Sequence, residues 1–557
     1  MKARLAQLGQ LLRKFSKARD GNVAVIFAIA IIPVVGFAGA AVDYSHAGAV
    51  RNAMQSALDA SALMLSKDAA TLTQAKLNED SLKTFNALFN KPLATVVSIE
   101  PTYSSTGGST LTLKGTVKVK TDFMGIIGVK EMTLGSTAVV KWGTSRVRVA
   151  LVLDTTGSMA SDGKMDALKP AAKSLLTQLK TAATKDGDVY VSIVPFSKNV
   201  NLGAANHAAN WIDWTDWESE PSNLKNSKPS DWDVTGPGSD CPFSNSSHGF
   251  RCASSPTSTT TVSDVPSSGS FAGYICPSTD TGAKDSTKIG IQYNGCYTSV
   301  AKASSQWKTV STGNNASCSG YSNCSCSGNG SNTVCKQTTY NHVWTVNNRN
   351  TWNGCVADRG NSSAPSPDNY DQKVTTPSLA IAASKFPAEQ NAYCSPAVTG
   401  LSYNWTAMNA QVDALYPLGA TNQPIGLVWG WQALVGGGPL SMPAKESGYT
   451  YNEYIILMSD GLNTLNRWNG NGSATNTSVD RRMYDSTNNG AGTCANIKAA
   501  GVTIYTIHVN TDGDPTSTLL RNCASSTDKF WMITSANDLK EVFTKIGTDM
   551  SQLRIAQ

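Results

Sequence analysis

Five oxygen-bearing side chains stand where they could share one cation. Asp154, Thr156 and Ser158 form a D-x-T-x-S set directly after an apolar run. Thr421 lies in the turn sequence GATN, and Asp460 follows the apolar run YIILM. Two carboxylates and three neutral hydroxyls make a hard-oxygen set suited to Mg²⁺, Mn²⁺ or Ca²⁺. Asp154 is expected nearest the ion, with one position open or water-filled. With so few carboxylates the ion stays electron-poor and can take an acidic group from a partner. Asp and Ser are also common helix caps, so no single residue decides the matter. The reading rests on five such positions at three places in the chain.

Catalysis has less support. GSMASDGKM fails as a phosphate loop, because its glycines are one residue too far apart and Met165 replaces Ser/Thr. No H-E-x-x-H and no G-x-S-x-G elbow occurs. Of the 5 histidines only His508 falls on an expected core strand, where a satisfied sheet histidine is the simpler reading. No enzyme is expected. A metal-assisted hydrolase is a remote alternative, since no general base or nucleophile accompanies the ion set. The net charge of +6 over 557 residues, with no dense Lys/Arg stripe beyond the N-terminus, excludes a nucleic-acid partner.

The ion set needs a scaffold that converges its three segments. Residues 147–153 are apolar except for Arg148, as for a strand buried on both faces. A helical pattern at 164–179 and a strand pattern, VYVSIV, at 189–194 complete a parallel strand–helix–strand unit. The pattern resumes near Val412. It continues with a helix in GATNQPIGLVWGWQAL, strands at 454–458 and 502–509, and helices at 494–500, 519–524 and 539–546. Residues 146–203 and 399–550 are thus the two halves of a Rossmann-type α/β domain with an open, mostly parallel sheet. Ligands of such sheets sit beyond the carboxyl ends of the strands, where the five oxygen ligands fall.

Between the halves, residues 204–398 are rich in Ser, Thr, Asn, Gly, Trp and Cys. They are too long for a plain loop, and their tryptophans argue against full disorder. An irregular, disulfide-stapled insertion is expected. The chain has 12 cysteines, none before Cys241, which fits an oxidising compartment. Cys318, Cys324, Cys326 and Cys335 crowd together without the paired C-x-x-C units of a zinc ribbon. Cys494 and Cys523 lie in helices that flank one strand, so a bond between them is expected. Cys355 with Cys394 is a weaker pairing, resting on their place at the end of the insertion.

At the N-terminus, residues 1–21 carry Lys2, Arg4, Arg13, Lys14, Lys17 and Arg19 against Asp20. The apolar stretch within 22–42 is long enough, at about 20 residues, to cross a bilayer as a helix. The basic flank predicts a cytoplasmic N-terminus with the bulk of the chain outside. A helical pattern continues past the apolar run through Ala47, Val50, Met54, Leu58, Ala62 and Leu65, so an uncleaved anchor is favoured over a signal peptide. Residues 67–90 also look helical. Alternation at 109–121 and 137–142 predicts strands. Residues 43–145 are thus a helix and a small α+β unit.

Two resemblances follow. The D-T-T-G-S sequence with Thr421 and Asp460 resembles the metal-ion-dependent adhesion site of von Willebrand factor A domains, with Thr156 at the middle Ser. The resemblance implies one divalent cation, Mg²⁺ foremost, held by Asp154, Thr156, Ser158, Thr421 and Asp460. The run from Gly21 to Leu63 is similar to the TadG-like N-terminal module of Flp-pilus (Tad) assembly systems. VPFSKNVN, WNGCVADR, GATNQPIGLVWGWQAL and ILMSDGLNT resemble segments of TadG-like proteins that carry an A domain. These imply a single-pass protein of the bacterial inner membrane with a periplasmic A domain that binds a protein of the pilus or secretion assembly. After Gly21 the chain reads NVAVI, without the Glu that follows the cleavage site of related minor pilins, so pilin-type processing is not expected. A surface adhesin binding host or matrix proteins is the main alternative.

Overall fold

The computed structural model describes residues 22–105, 108–143, 145–226, 228–244, 250–258, 260–280, 288–362, 371, 376–436 and 438–555. The basic segment 1–21 lies outside them. The chain divides into two compact units, with the main break between Ser145 and Arg146.

The first unit starts with one helix, α1 (Asn22–Leu65), which carries Pro33 within it. It is long and apolar enough to cross a membrane. Its character changes along its length. Ile26, Phe27, Ile32 and Phe37 are exposed all round the helix, whereas from Gly39 a stripe of Asp43, Ala47, Val50, Met54 and Leu58 is buried at three- and four-residue steps. An all-round apolar segment thus passes into an amphipathic one. The second helix, α2 (Gln74–Leu88), is capped by the Thr73 side chain and begins later than the expected 67–90. A three-stranded antiparallel meander follows: β1 (Ala94–Ser104), β2 (Ser109–Lys120) and β3 (Glu131–Trp142). β1 was not expected from sequence. A register shift between Val96 and Ser98 interrupts its alternation, and it carries Pro101, which an edge strand tolerates. Leu77, Phe85, Leu111, Leu113 and Val117 fill the core against α1.

The second unit holds the parallel sheet. Its strands are β4 (Ser145–Asp154), β5 (Val189–Phe196), β6 (Thr399–Ser402), β7 (Thr450–Ser459), β8 (Thr503–Val509) and β9 (Phe530–Ile533), in the order β6-β5-β4-β7-β8-β9. β4 with β5, β7 with β8, and β8 with β9 run parallel, and the edge strand β6 is antiparallel to its neighbour β5. Val412 does not resume the sheet as expected. It lies on a helix, α4 (Trp405–Asp413), which follows α3 (Lys164–Ala182) in the chain. Its neighbours Met408 and Leu415 at helical spacing bury it against the sheet.

Every residue of β4 is buried, because helices cover both faces. Val149, Leu151 and Leu153 face a core shared with α3, α4 and the last helix, α8 (Leu539–Ile555). Ala150 and Val152 face the opposite core, shared with α5 (Gln423–Val435), α6 (Thr493–Ala499) and α7 (Thr518–Cys523). This alternation is the strand period of two.

Cys494 on α6 and Cys523 on α7 form a disulfide, Cα to Cα 5.2 Å, across a separation of 29 residues. In the chain-entropy model a loop of that length contributes about 3–4 kcal/mol. Cys494→Ala with Cys523→Ala should lower the stability of this unit by that order. Guanidinium unfolding without reductant checks it, and an unchanged midpoint would refute it.

The insertion is more regular than expected. It holds a four-stranded antiparallel sheet built from Phe250–Ala253, Tyr274–Asp280, Gly295–Ala301 and Tyr340–Val346, and a three-stranded one built from Lys308–Thr312, Cys324–Ser327 and Val334–Gln337. Disulfides join Cys241–Cys252, Cys276–Cys296, Cys318–Cys324, Cys326–Cys335 and Cys355–Cys394. Trp214, Trp217 and Trp352 stack edge to face and join the core on the α5 side of the parallel sheet.

Candidate metal centre

The loop after β4 carries the first three oxygen ligands. Asp154 ends the strand at 0% exposure, and its carboxylate accepts the backbone N–H of Thr156 at 2.8 Å and the Ser459 hydroxyl at 2.5 Å. The Thr156 and Ser158 hydroxyls lie 3.1 Å apart. The Ser158 hydroxyl donates to Asp460 Oδ1 at 2.9 Å, joining the ends of the neighbouring strands β4 and β7. Asp460 is 2% exposed. Four of the five expected residues therefore form one hydrogen-bonded chain.

Thr421 is brought to the same place by backbone bonds. Gly157 N–H donates to the Gly419 carbonyl at 2.9 Å, and Leu418 N–H donates to the Thr155 carbonyl at 2.7 Å, which lashes the turn before α5 to the loop after β4. A Cβ placed on Gly461 would lie 3.7 Å from Ser158 Oγ and 4.0 Å from Thr421 Oγ1. These two hydroxyls therefore converge on the space that the bare glycine leaves beside Asp460. The donor set is oxygen throughout, and it fits a hard divalent cation.

Electrostatics point the same way. Burial, then the charge of Asp460, holds the Asp154 carboxyl well above the ordinary carboxylate range. Burial raises Asp460 too, although Lys164 opposes the shift. Two carboxylates disfavoured as a pair of anions gain from a cation placed between them.

The sequence reading missed three residues. Lys164, fully buried at the start of α3, donates from Nζ to Asp460 Oδ2 at 2.9 Å and to Asp512 Oδ2 at 2.7 Å. Burial works against its charge, but the hydrogen bonds it donates to Asp512 and Asp460, with their negative charge, outweigh it and raise its pKa. Ser459 holds Asp154 from the next strand. Asp358, in the WNGCVADR segment, is buried and accepts from the Asn422 side chain at 2.9 Å, one residue after Thr421. Only Asp358 had a sequence signal, through that segment. His508 is buried, and its Nδ1 accepts the Ser517 backbone N–H at 3.3 Å.

Residues 21–66 match the Tad family model, described as Flp pilus-assembly TadE/G-like. No curated protein matches the chain. Among solved structures, the chain is similar to the von Willebrand factor domain of the type V pili tip protein Mfa5 from Porphyromonas gingivalis. That likeness has 10% identity and a TM-score of 0.28, over 74% of this chain and 97% of that one. The pilus adhesin SpaC from Lactobacillus rhamnosus GG matches at 12% identity and a TM-score of 0.27, over 83% of this chain. This chain spans only 35% of the SpaC chain. A von Willebrand factor type A structure from Catenulispora acidiphila matches at 9% identity and a TM-score of 0.25, over 82% of this chain and 51% of that one.

Proposed function

We propose that this protein is a single-pass component of Flp/Tad pilus assembly or secretion whose A-type domain binds a protein partner through a divalent cation. The observation that carries the reading is the oxygen set at the ends of β4 and β7, open to solvent at Ser158. Asp154, Thr156, Ser158, Thr421 and Asp460 would hold the ion, with Mg²⁺ favoured and Mn²⁺ or Ca²⁺ acceptable to the same oxygens. The ion would supply a Lewis-acidic position for a partner's carboxylate. The role is binding and not catalysis. The TadE/G-like match over residues 21–66 supports the pilus assignment. The basic segment before the apolar helix supports a cytoplasmic N-terminus and a periplasmic bulk at the inner membrane.

Two measurements test this. A periplasm-active phosphatase fused after Gln557 should be active, and activity only from a cytoplasm-restricted reporter would overturn the topology. Crosslinking in cells, followed by capture with and without EDTA, should lose a pilus-assembly protein when the ion is removed. Capture unaffected by EDTA would separate partner binding from the ion. Recovery of the protein at the cell surface would favour the adhesin.

A further inference from the structure

Between β2 and β3 the chain turns through residues 121–130, and the apolar side chains of this turn face outward. Phe123, Ile126, Ile127 and Val129 are 43%, 83%, 68% and 40% exposed. Turns are ordinarily built from Gly, Pro, Asn, Asp and Ser; in F-M-G-I-I-G-V only Gly125 and Gly128 are of that kind, Gly128 at φ 99°, and the other five residues are large and apolar. The turn is also firmly held. Thr121 N–H donates to the Lys130 carbonyl at 3.1 Å and Val129 N–H to the Met124 carbonyl at 3.0 Å, closing its neck.

Its position along α1 is fixed by two contacts. The buried Asp43 carboxylate accepts the backbone N–H groups of Asp122, Phe123 and Met124 at 3.0, 3.0 and 2.7 Å. These bonds, Met124's foremost, hold the Asp43 carboxyl below the usual range. One helical turn earlier, a Cβ on Gly39 would lie 2.5 Å from Phe123 Cβ. Gly39 belongs to the apolar run, and Asp43 is the first charged residue beyond it. They are separated by ~6 Å along the axis. The turn is therefore level with the last turn of the segment that can cross a membrane.

We propose that residues 123–129 insert into the same bilayer as α1, at the boundary of headgroups and acyl chains on the side from which the small sheet emerges. This rests on the membrane anchor of the preceding section. On the face of α1 that Gly39 shares, Val35 and Ile32, four and seven residues earlier, are 53% and 71% exposed, so apolar surface runs along the helix from the level of the turn. Lys120 and Lys130, both exposed, bracket the turn in sequence, and Tyr44, which follows Asp43 on α1, is 74% exposed. Basic and aromatic residues around an apolar tip are the composition of an interfacial anchor. A lone helix can rotate and tilt about its axis. A second point of insertion fixes the orientation of the first unit against the membrane.

The test uses the full chain in nanodiscs of phosphatidylethanolamine and phosphatidylglycerol. A benzophenone-bearing residue replaces Phe37, Ile126 or Thr102 in separate proteins, and adducts are identified by mass spectrometry after irradiation. Thr102 is exposed near the opposite end of the sheet from the turn. Lipid adducts should form at positions 37 and 126, with position 126 at least about tenfold above position 102 if the tip sits ~5–10 Å into the bilayer. Asp43→Asn should lower the yield at 126 severalfold and leave that at 37 unchanged. A protein adduct at 126, or a lipid yield there no greater than at 102 while 37 is labelled, would overturn the insertion. Absence of lipid at 37 would overturn the anchor itself.

Discussion

Asp154→Ala should reduce divalent-ion affinity by about a hundredfold or more, a loss of at least ~2.7 kcal/mol of binding. Ser158→Ala should cost about tenfold, because it removes a neutral oxygen and leaves both carboxylates. The fold should survive both changes, since these side chains lie at and beyond strand ends and not in the packed sheet. The ion-free state sharpens the test. Burial and the neighbouring Asp460 disfavour the Asp154 anion, so in EDTA the variant should melt no lower than wild type. Adding ion at about a hundred times Kd should stabilise wild type by ~2.7 kcal/mol and leave the variant unmoved. Calorimetric titration with Mg²⁺ and Mn²⁺, with melting curves in parallel, gives both numbers. Equal binding by the two proteins would mean that these residues are ordinary turn and cap residues. Unfolding of the variant in metal-free buffer would make the site structural, and partner binding would lose its main support.

The parallel sheet was legible in the sequence because burial on both faces leaves continuous apolar runs such as VALVL and YIILM. The ion residues were legible because each falls directly beyond such a run or in a turn before a helix. Lys164 was not. Its partner Asp460 is 296 residues away, and nothing local distinguishes it from a solvated lysine at a helix start. Ser459 was hidden as the polar residue that closes the apolar run YIILM. The insertion was misread for a different reason. Some of its strands bury little, as in Tyr340–Val346, where only the first residue is fully buried, and the well-buried Tyr274–Asp280 reads YICPSTD, with proline and polar residues in place of an apolar pattern. Such strands are set by backbone pairing and disulfides, and they carry no apolar alternation to detect. The short edge strands β6 and β9 escaped likewise, since four residues hold too little pattern. Asp43 looked like the first polar residue after a membrane segment, and its role as a cap for the 122–124 backbone appears only in three dimensions.

Lys198→Met should destabilise the second unit by about 3–5 kcal/mol, the usual cost of removing one partner of a buried ion pair. Lys198 Nζ, just beyond β5, donates to both carboxylate oxygens of Glu389 at 2.9 and 3.1 Å, and the two side chains are 4% and 10% exposed. Glu389 lies in the returning arm of the insertion, and the carbonyl of Lys198 accepts the Asn422 side chain at 3.1 Å. The pair therefore ties the insertion to the turn that carries Thr421. Methionine keeps the apolar stem and deletes the charge, which leaves Glu389 with Asn391 as its hydrogen-bond donor at 2.9 Å. The pH dependence separates charge from packing. In wild type, burial pushes Glu389 up, but Lys198 and Asn391 outweigh it, and the carboxyl titrates below its ordinary value. A depressed carboxyl stabilises the fold above the unfolded value of about 4.3 and loses that contribution as pH falls through its folded value. In Lys198→Met the burial is no longer offset by the ammonium, so Glu389 should titrate above the ordinary value. The variant's deficit is then largest at neutral pH and shrinks as the acid is protonated. The stability gap should therefore narrow first from the variant's side, as pH falls from neutral towards about 4.3, and then from the wild type's side below about 4.3. Urea unfolding across that range measures it. A gap that stays constant with pH would mean that Lys198 acts through its packed stem and not through its charge.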